Sequence, residues 1–265
     1  MRNNQETKLI LPILAEKLES LYKWEEENRT KSILEINAEP QLKDHLGIFY
    51  DSLNLIFDLT INFGNPNDDE LTIQYIGIRL FNDAVASFKL MLAGYYQISF
   101  NIQRDILETG FLLDYFTSYP EKIQHWKQCS NSQRQKFYTP AKVREALDRR
   151  DGFTQKKREK IYKNMCEYAS HVSYPGIKLV ASNGFAKIGP FFDKKYLKSC
   201  IQELAMRIPQ FTLIYLGLFK NLPPKFLKTK VDFIASLKAW SQKYFNIKIE
   251  NIDTNELKKL VDLIQ

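Results

Sequence analysis

Four polar residues recur one helical turn apart in a segment that is otherwise rich in Ile, Leu, Phe and Tyr. Within residues 95–116 they are Gln97, Asn101, Arg104 and Glu108. On a helix these four positions share one face, within an arc of roughly 60°. A helix that is apolar on most other faces is normally buried, and a buried Arg and Glu must be paired or they destabilise the fold. The pattern predicts either a buried ion pair that fixes the helix register or a binding or catalytic cluster.

The second candidate for a chemical role is a histidine. His171 lies in the last turn of a segment predicted to be helical from about 154 to 172. Unpaired carbonyl groups at a helix C-terminus favour an imidazolium, so His171 is either a hydrogen-bonding cap or a general acid/base. In the catalytic hypothesis His171 transfers the proton and Arg104 stabilises charge that develops on a phosphate. Glu108 then orients Arg104.

A basic region at about residues 136–163 is the third feature. Lys and Arg crowd this stretch, with Tyr138, Phe153 and Tyr162 interleaved. Such a surface neutralises phosphates and stacks bases, although the solvated faces of two ordinary helices have the same composition. The residues predicted to contact nucleic acid are Arg149, Arg150, Lys156, Lys157, Arg158 and Lys160, and the amides expected to add binding contacts are Gln97 and Asn101.

The charge is distributed unevenly along the 265 residues. The net charge is +7, yet residues 1–120 carry 10 Lys/Arg against 18 Asp/Glu, whereas residues 121–265 carry 28 against 13. This asymmetry predicts an anionic partner such as RNA or DNA for the second half. The alternatives are attraction between the halves, a protein partner, or association of identical chains.

Several classes of protein are disfavoured by what the sequence lacks. No apolar run reaches the roughly 18–20 residues that cross a bilayer, so no membrane association is expected. The cysteines, Cys129, Cys166 and Cys200, are odd in number and widely spaced. They predict reduced thiols and a cytoplasmic location. No metal-ligand motif, phosphate-binding glycine run or nucleophile elbow is present, so neither a metal nor a cofactor is expected.

The elements that must position these groups are nearly all helical. Hydrophobic periodicity and capping signals predict an all-α multi-helix bundle, with Asn183-Gly184 as the turn of one small β-hairpin at about 177–190. We expect a single domain over 1–265, with an acidic 1–119 part and a basic 120–265 part as the alternative division. The predicted helices are 8–27, 40–61, 68–92, 95–116, a short one from Pro120, 140–150, 154–172, 193–218, 224–244 and a last short one that Asp253 begins.

Two stretches carry a family resemblance. They are RDILE at 104–108, followed by Tyr115, Pro120 and Trp126, and YKNMCEYASH at 162–171. Together they resemble a prokaryotic all-helical family without an assigned activity, in which an Arg-x-x-x-Glu helix precedes a Tyr-x-x-Leu-Ser/Cys helix that ends in His. The resemblance covers roughly residues 90–180 and implies that Arg104, Glu108 and His171 lie together in space.

A more distant likeness is to HEPN helical bundles, many of which are ribonucleases of toxin and antiviral systems. Their catalytic pattern, an Arg followed four to six residues later by His, is absent before His45, His125 and His171. The resemblance therefore implies a HEPN-like shape and not HEPN-type cleavage. The function hypothesis is a nucleic-acid-associated, defence-related helical protein. The alternative is a non-enzymatic interaction or regulatory module, and whether the chain is an enzyme stays open.

Overall fold

The structure is a computed structural model that describes residues 16–64, 66–219 and 222–247. It confirms the all-α bundle with one small hairpin. The α-helices are α1 (Glu16–Ala38), α2 (Pro40–Asn62), α3 (Asp68–Ala93), α4 (Tyr96–Ser118), α5 (Lys122–Gln128), α6 (Asn131–Phe137), α7 (Pro140–Arg150), α8 (Lys157–Met165), α9 (Tyr174–Ile177), α10 (Lys194–Gly217) and α11 (Pro224–Phe245), and the strands are β1 (Ala181–Ser182) and β2 (Phe185–Ala186).

Helix α4 lies at the centre of the bundle. It packs along α3 on one side and α10 on another, while α10 also packs along α2. The five largest fully buried side chains of the described residues are aromatic, namely Phe49, Tyr96, Phe116, Phe211 and Tyr215, and they pack among buried Leu, Ile and Met side chains. Helices from the acidic and the basic half therefore contribute to one continuous core. Within the described ranges, no helix is both long enough and apolar enough to cross a bilayer.

Local capping signals place several helix starts as predicted. Thr139 accepts a hydrogen bond from the backbone of Lys142, and Asp193 caps α10. Helix α3 begins at Asp68 as predicted, although neither Asp68 nor Asp69 is its cap. Asn67 caps it instead, because its side chain and that of Glu70 bond each other's backbone N–H groups in a capping box.

Three helix boundaries differ because tertiary contacts or turns intervene. The first helix continues to Ala38, past the predicted end at residue 27, since Ser32 is buried and donates to the carbonyl of Leu92 on α3. Two short helices, α5 and α6, replace the single helix predicted after Pro120. Thr154 does not cap the next helix: the backbone makes turns after Arg150, and α8 begins only after Lys156.

The end of the predicted 154–172 helix is also corrected. After Met165 the helix widens into a five-residue π-helical turn, Cys166–Ser170, and regular structure ends at His171. We call these five residues the π-turn. One further turn, α9, precedes the hairpin.

The hairpin has the predicted register, with Ala181 opposite Ala186 across Asn183-Gly184. Its strands are shorter than expected, because Leu179 lies in a 3₁₀ turn and does not pair with Ile188. The base of the hairpin is held by Ser182, whose hydroxyl donates to Asp193 at 3.0 Å. Away from this base, Phe185 and Ile188 are exposed.

Candidate functional site

Arg104 and Glu108 form the predicted pair on α4, and Tyr162 of α8 completes it. Arg104 Nη1 donates to Glu108 Oε1 at 2.8 Å and to the Tyr162 hydroxyl at 3.0 Å. The Tyr162 hydroxyl donates in turn to Glu108 Oε1 at 2.6 Å. About three quarters of the Arg104 and Glu108 side-chain surfaces are buried. The three groups thus close a triangle of charge-assisted hydrogen bonds between two helices.

A second arginine lies against the same tyrosine. The guanidinium carbon of Arg144, on α7, lies 3.9 Å from the centre of the Tyr162 ring. Arg144 is buried, and its Nε and Nη1 have no conventional hydrogen-bond partner. The face of the ring is therefore the main group that stabilises this buried cation.

Tyr162 keeps its proton at neutral pH. Burial, and then donation to Glu108, raise the pKa of Tyr162 to about 12. A protonated phenol donates one hydrogen bond and accepts others, as Tyr162 does here, and it is not a general base at neutral pH. The triangle is accordingly suited to holding α4, α7 and α8 together.

Gln97 and Asn101 continue the polar face of α4 toward the π-turn. The Gln97 side-chain amide donates to the carbonyl of Ala169, and Ser170 donates to Asn101 Oδ1 at 2.7 Å. All four predicted polar residues of α4 therefore contact the segment 162–170. Polar side chains are needed at these positions because the contact between α4 and residues 162–170 contains carbonyl and hydroxyl groups that require hydrogen-bond partners.

The His171 side chain forms no hydrogen bond with the described residues of the triangle. Its side chain is exposed, and its backbone N–H donates to the carbonyl of Cys166 at 2.8 Å. Among the described residues the imidazole forms no hydrogen bond or ion pair. The structure thus joins Arg104 and Glu108 to Tyr162, and it supplies no contact through which His171 exchanges a proton with them.

Two of the predicted nucleic-acid contacts, Arg150 and Arg158, are engaged with acidic side chains. Arg158 Nη1 lies 2.8 Å from Asp148 Oδ1, and Arg158 also bonds Asp151. Arg150 bonds Asp151 and Asp114, both at 2.7 Å. Hydrogen bonds, chiefly from Arg150, lower the pKa of Asp151 to about 2. These five residues, which we call the corner network, fix the turn between α7 and α8.

The remaining cations of this region face solvent. Arg149 and Lys160 form no ion pair or hydrogen bond through their side chains in the described parts of the chain. The Lys157 ammonium lies 4.8 Å from the centre of the exposed Phe153 ring. Two further lysines share the single carboxylate of Glu159. We call the exposed set the basic corner: Arg149, Lys156, Lys157, Lys160 and Lys163.

A pair of carboxyl groups between α3 and α4, Asp83 and Asp105, is not among the groups predicted from the sequence. Arg79 bonds Asp105, and its Nε lies 3.8 Å from Asp83 Oδ2, a buried oxygen without a hydrogen-bond partner. Burial, and then the neighbouring carboxyl group of Asp105, raise the pKa of Asp83 to about 7. Only the spacing of Arg79 and Asp83 is visible in the sequence. These groups adjoin a cavity of about 420 Å³ that Arg79, Asp105 and Glu108 help to line.

Replacing Asp83 by Asn should remove a pH dependence of stability. Because the folded protein holds the Asp83 proton up to about pH 7 and the unfolded chain only to about pH 4, stability falls as the pH rises through this window. We expect Asp83→Asn to flatten this fall and to raise the free energy of unfolding at pH 8 by about 1 kcal/mol. Denaturant unfolding at pH 5 and pH 8 measures both effects. The control is Asp51→Asn, at an exposed position on α2, and an unchanged pH profile in Asp83→Asn would contradict the assignment.

No family model, curated protein or solved structure matches this chain. Within the described residues, no group of three or more His, Cys, Asp or Glu side chains is arranged to hold a metal ion.

Proposed function

We propose that this chain binds nucleic acid through the basic corner, as a cytoplasmic helical protein without a cleavage activity. The proposal rests on one observation: some cations of α7 and α8 are paired with carboxylates, and others are exposed to solvent. Arg150 and Arg158 are held by Asp114, Asp148 and Asp151, whereas the basic corner faces solvent around Phe153. A fixed turn that presents cations beside an aromatic ring suits a phosphate backbone and a base.

The local charge supports an anionic partner. Residues 136–163 contain ten Lys and Arg against four Asp and Glu, a balance of +6. Three of the four acidic residues, Asp148, Asp151 and Glu159, already bond cations of the same region. Apart from the buried Arg144, the excess positive charge therefore lies on exposed side chains, where it attracts phosphates over a distance set by the salt concentration.

Binding without cleavage is supported by the state of the polar groups. Tyr162 stays protonated, and His171 makes no bond to Arg104 or Glu108 among the described groups. We take the Arg104–Glu108–Tyr162 triangle as the positioning element that holds α8, which carries three cations of the basic corner. The resemblance to HEPN bundles makes RNA the first probe and a defence-related role part of the hypothesis. The three cysteines are buried free thiols, which suits the reducing cytoplasm.

The test is a salt titration of binding to a fluorescent single-stranded RNA of about 16 nucleotides, with DNA of the same sequence in parallel. We expect Arg149→Glu/Lys157→Glu/Lys160→Glu to lower the RNA affinity at least about tenfold. Its logarithmic salt slope should be smaller by about 2, since three phosphate contacts on a single strand contribute about 0.7 each. Fluorescence anisotropy at several salt concentrations gives both quantities.

A matched control separates a specific surface from overall charge. Lys23, Lys31 and Lys89 are exposed cations on α1 and α3. Lys23→Glu/Lys31→Glu/Lys89→Glu changes the net charge equally and should retain most of the affinity. Equal losses in both triple variants, or wild-type binding that ignores salt, would overturn the proposal in favour of a protein-interaction module.

A further inference from the structure

The outer face of the α2–α3 pair is largely apolar and is exposed to solvent in the part of the chain that the structure describes. On α2 the exposed positions 50, 54, 57 and 61 recur every three or four residues, so they form one stripe. Positions 75, 78, 82 and 85 form a similar stripe on α3. The large apolar residues of the two stripes, each 38–65% exposed, are Tyr50, Phe57, Ile61, Tyr75, Ile78 and Val85. We call these six residues the apolar face.

Aromatic contacts between the helices join the two stripes into one surface. Phe57 packs on Phe81 with ring centres 5.8 Å apart, and Tyr50 packs on Phe88 at the same distance. Positions 50 to 57 of α2 therefore run beside positions 88 to 81 of α3 in the opposite direction. In this register residue 58 of α2 lies level with about residue 80 of α3.

The exposed area of the apolar face approaches what a stable dimer buries. A fully accessible aromatic residue presents about 150–250 Å², and the aliphatic ones slightly less, so the six residues leave about 500–600 Å² open. That value is at the upper end of the roughly 300–600 Å² typical of the largest apolar patch on a monomer. A standard interface buries about 800 Å² on each partner, and the adjoining Leu53, Asn54 and Asn82 can supply the remainder.

The charges beside the apolar face have opposite signs on the two helices. Asp51 and Asp58 lie on the edge of α2 that is turned away from α3, and neither forms an ion pair within the described ranges. Arg79 lies on the opposite edge, on α3, with 61% of its side chain exposed. No charged residue occupies either stripe between these edges, as is usual at the centre of an interface. Such a face is complementary in charge to a copy of itself.

The positions of these charges favour one orientation of two copies. When a two-fold axis runs parallel to the helices, α2 of each copy faces α3 of the other at the same level. Asp58 of one copy then lies opposite Arg79 of the second copy. When the axis runs across the helices, α2 faces α2, and Asp51 and Asp58 of one copy lie opposite the same aspartates of the other, which is unfavourable.

We propose that the apolar face is a two-fold symmetric interface for a second copy of this chain, with α2 of each copy packed against α3 of the other. Phe57 and Ile78 lie near the centre of this four-helix contact. Asp58 pairs at its edge with Arg79 of the second copy, and the five N–H donors of a guanidinium allow Arg79 to keep its bond to Asp105. The interface includes no residue of the basic corner.

Sedimentation velocity of the full-length chain over a range of concentrations tests the interface. We expect the wild type to form a dimer and Phe57→Glu to weaken it at least about thirtyfold, because the two-fold axis buries two unpaired carboxylates. Since Phe57 is half exposed, this variant should fold, and circular dichroism checks that it does. The matched control is Ile188→Glu, which changes an exposed apolar residue beside the hairpin and should dimerise as the wild type does.

Cysteine cross-linking tests the orientation. Asn54→Cys and Asn82→Cys replace exposed residues of the two stripes, and the native cysteines are buried. We expect a short bismaleimide to join Asn54→Cys chains to tagged Asn82→Cys chains in a mixture, and to join few chains of either variant alone. Asn54→Cys chains that link mainly to each other would overturn the α2–α3 orientation.

Two results would overturn the interface itself. One is a wild type that stays monomeric at about 100 μM, which would leave the apolar face to a different protein. The other is a dimer that Phe57→Glu and Ile188→Glu weaken to the same extent, which would place the contact between copies elsewhere on the chain.

Discussion

Replacing Arg158 by Met should lower the free energy of unfolding by about 3 kcal/mol. The Arg158 side chain is 14% exposed, and it lies between the carboxylates of Asp148 and Asp151. Without the cation, the largely buried Asp148 carboxylate keeps no ion pair among the described residues, whereas Asp151 keeps its bond to Arg150. Met retains the apolar stem that packs near Phe153, so the loss reports the charge and its hydrogen bonds.

The effect of Arg158→Met should depend on pH with a definite sign. The pKa of Asp151 lies at about 2 in the folded protein and near 4 in the unfolded chain. Arg150 is the main cause of this lowering and Arg158 adds to it, so the part of the Asp151 contribution that Arg158 supplies is present above pH 4 and is lost as the pH falls toward 2. We expect the stability difference between the wild type and Arg158→Met to be full at pH 7 and smaller at pH 3, measured by guanidinium unfolding.

Arg29 provides the comparison. It pairs with Glu26 at 3.0 Å, and both side chains are more than half exposed. Arg29→Met should cost less than about 1 kcal/mol, since exposed ion pairs contribute little. If Arg158→Met were no more destabilising than Arg29→Met, the corner network would not fix the turn, and the rigid presentation of the basic corner would have no support.

Replacing Gly110 by Ala should destabilise the bundle by about 3 kcal/mol. A Cβ atom at Gly110, on α4, would lie 2.4 Å from three ring atoms of Phe211 on α10. Carbon atoms need about 3.5–4.0 Å, and Phe211 is 2% exposed and packed edge-to-face on Phe111. Because the buried Phe211 ring has no space into which to move, α4 and α10 must move apart to accept the methyl group. Thermal and denaturant unfolding both measure the loss.

Gly47 is the matched control in a helix interior. No atom lies within 4 Å of a Cβ built there, on the exposed side of α2. Gly47→Ala should raise the free energy of unfolding by about 0.5–1 kcal/mol, because alanine loses less backbone entropy in a helix. A Gly110→Ala protein as stable as the wild type would show that α4 and α10 do not approach as closely as described.

The local features of the fold could be predicted because their causes lie within a few residues. The caps at Thr139 and Asp193 bond backbone groups two or three positions away, and the Asn183-Gly184 turn sets the hairpin register by its own backbone geometry. Arg104 and Glu108 are one turn apart on one helix, so their pairing also follows from spacing alone. The prediction that begins a last helix at Asp253 lies outside the described residues.

Side-chain contacts between helices that are distant in sequence could not be predicted from local spacing. Which helix faces α4 determines that Tyr162 completes the triangle and that Asp105 meets Asp83. The turn after α7 determines that Arg150 and Arg158 meet acidic side chains while Arg149 and Lys160 stay exposed. A charge pattern specifies how many cations a segment carries, and not which of them are neutralised by side chains from other elements.

The sequence alone predicts a helical bundle with a polar face on α4, because hydrophobic periodicity and helix capping depend on residues within one or two turns. Which groups that polar face contacts depends on how distant helices pack against α4. The helix ends in the π-turn at Ser170, so His171 is the extended and exposed residue that follows it and not part of the last turn of a regular helix. The same turn lines an apolar pocket beside α4 and α10, whose position depends on the packing of these helices and not on the local sequence.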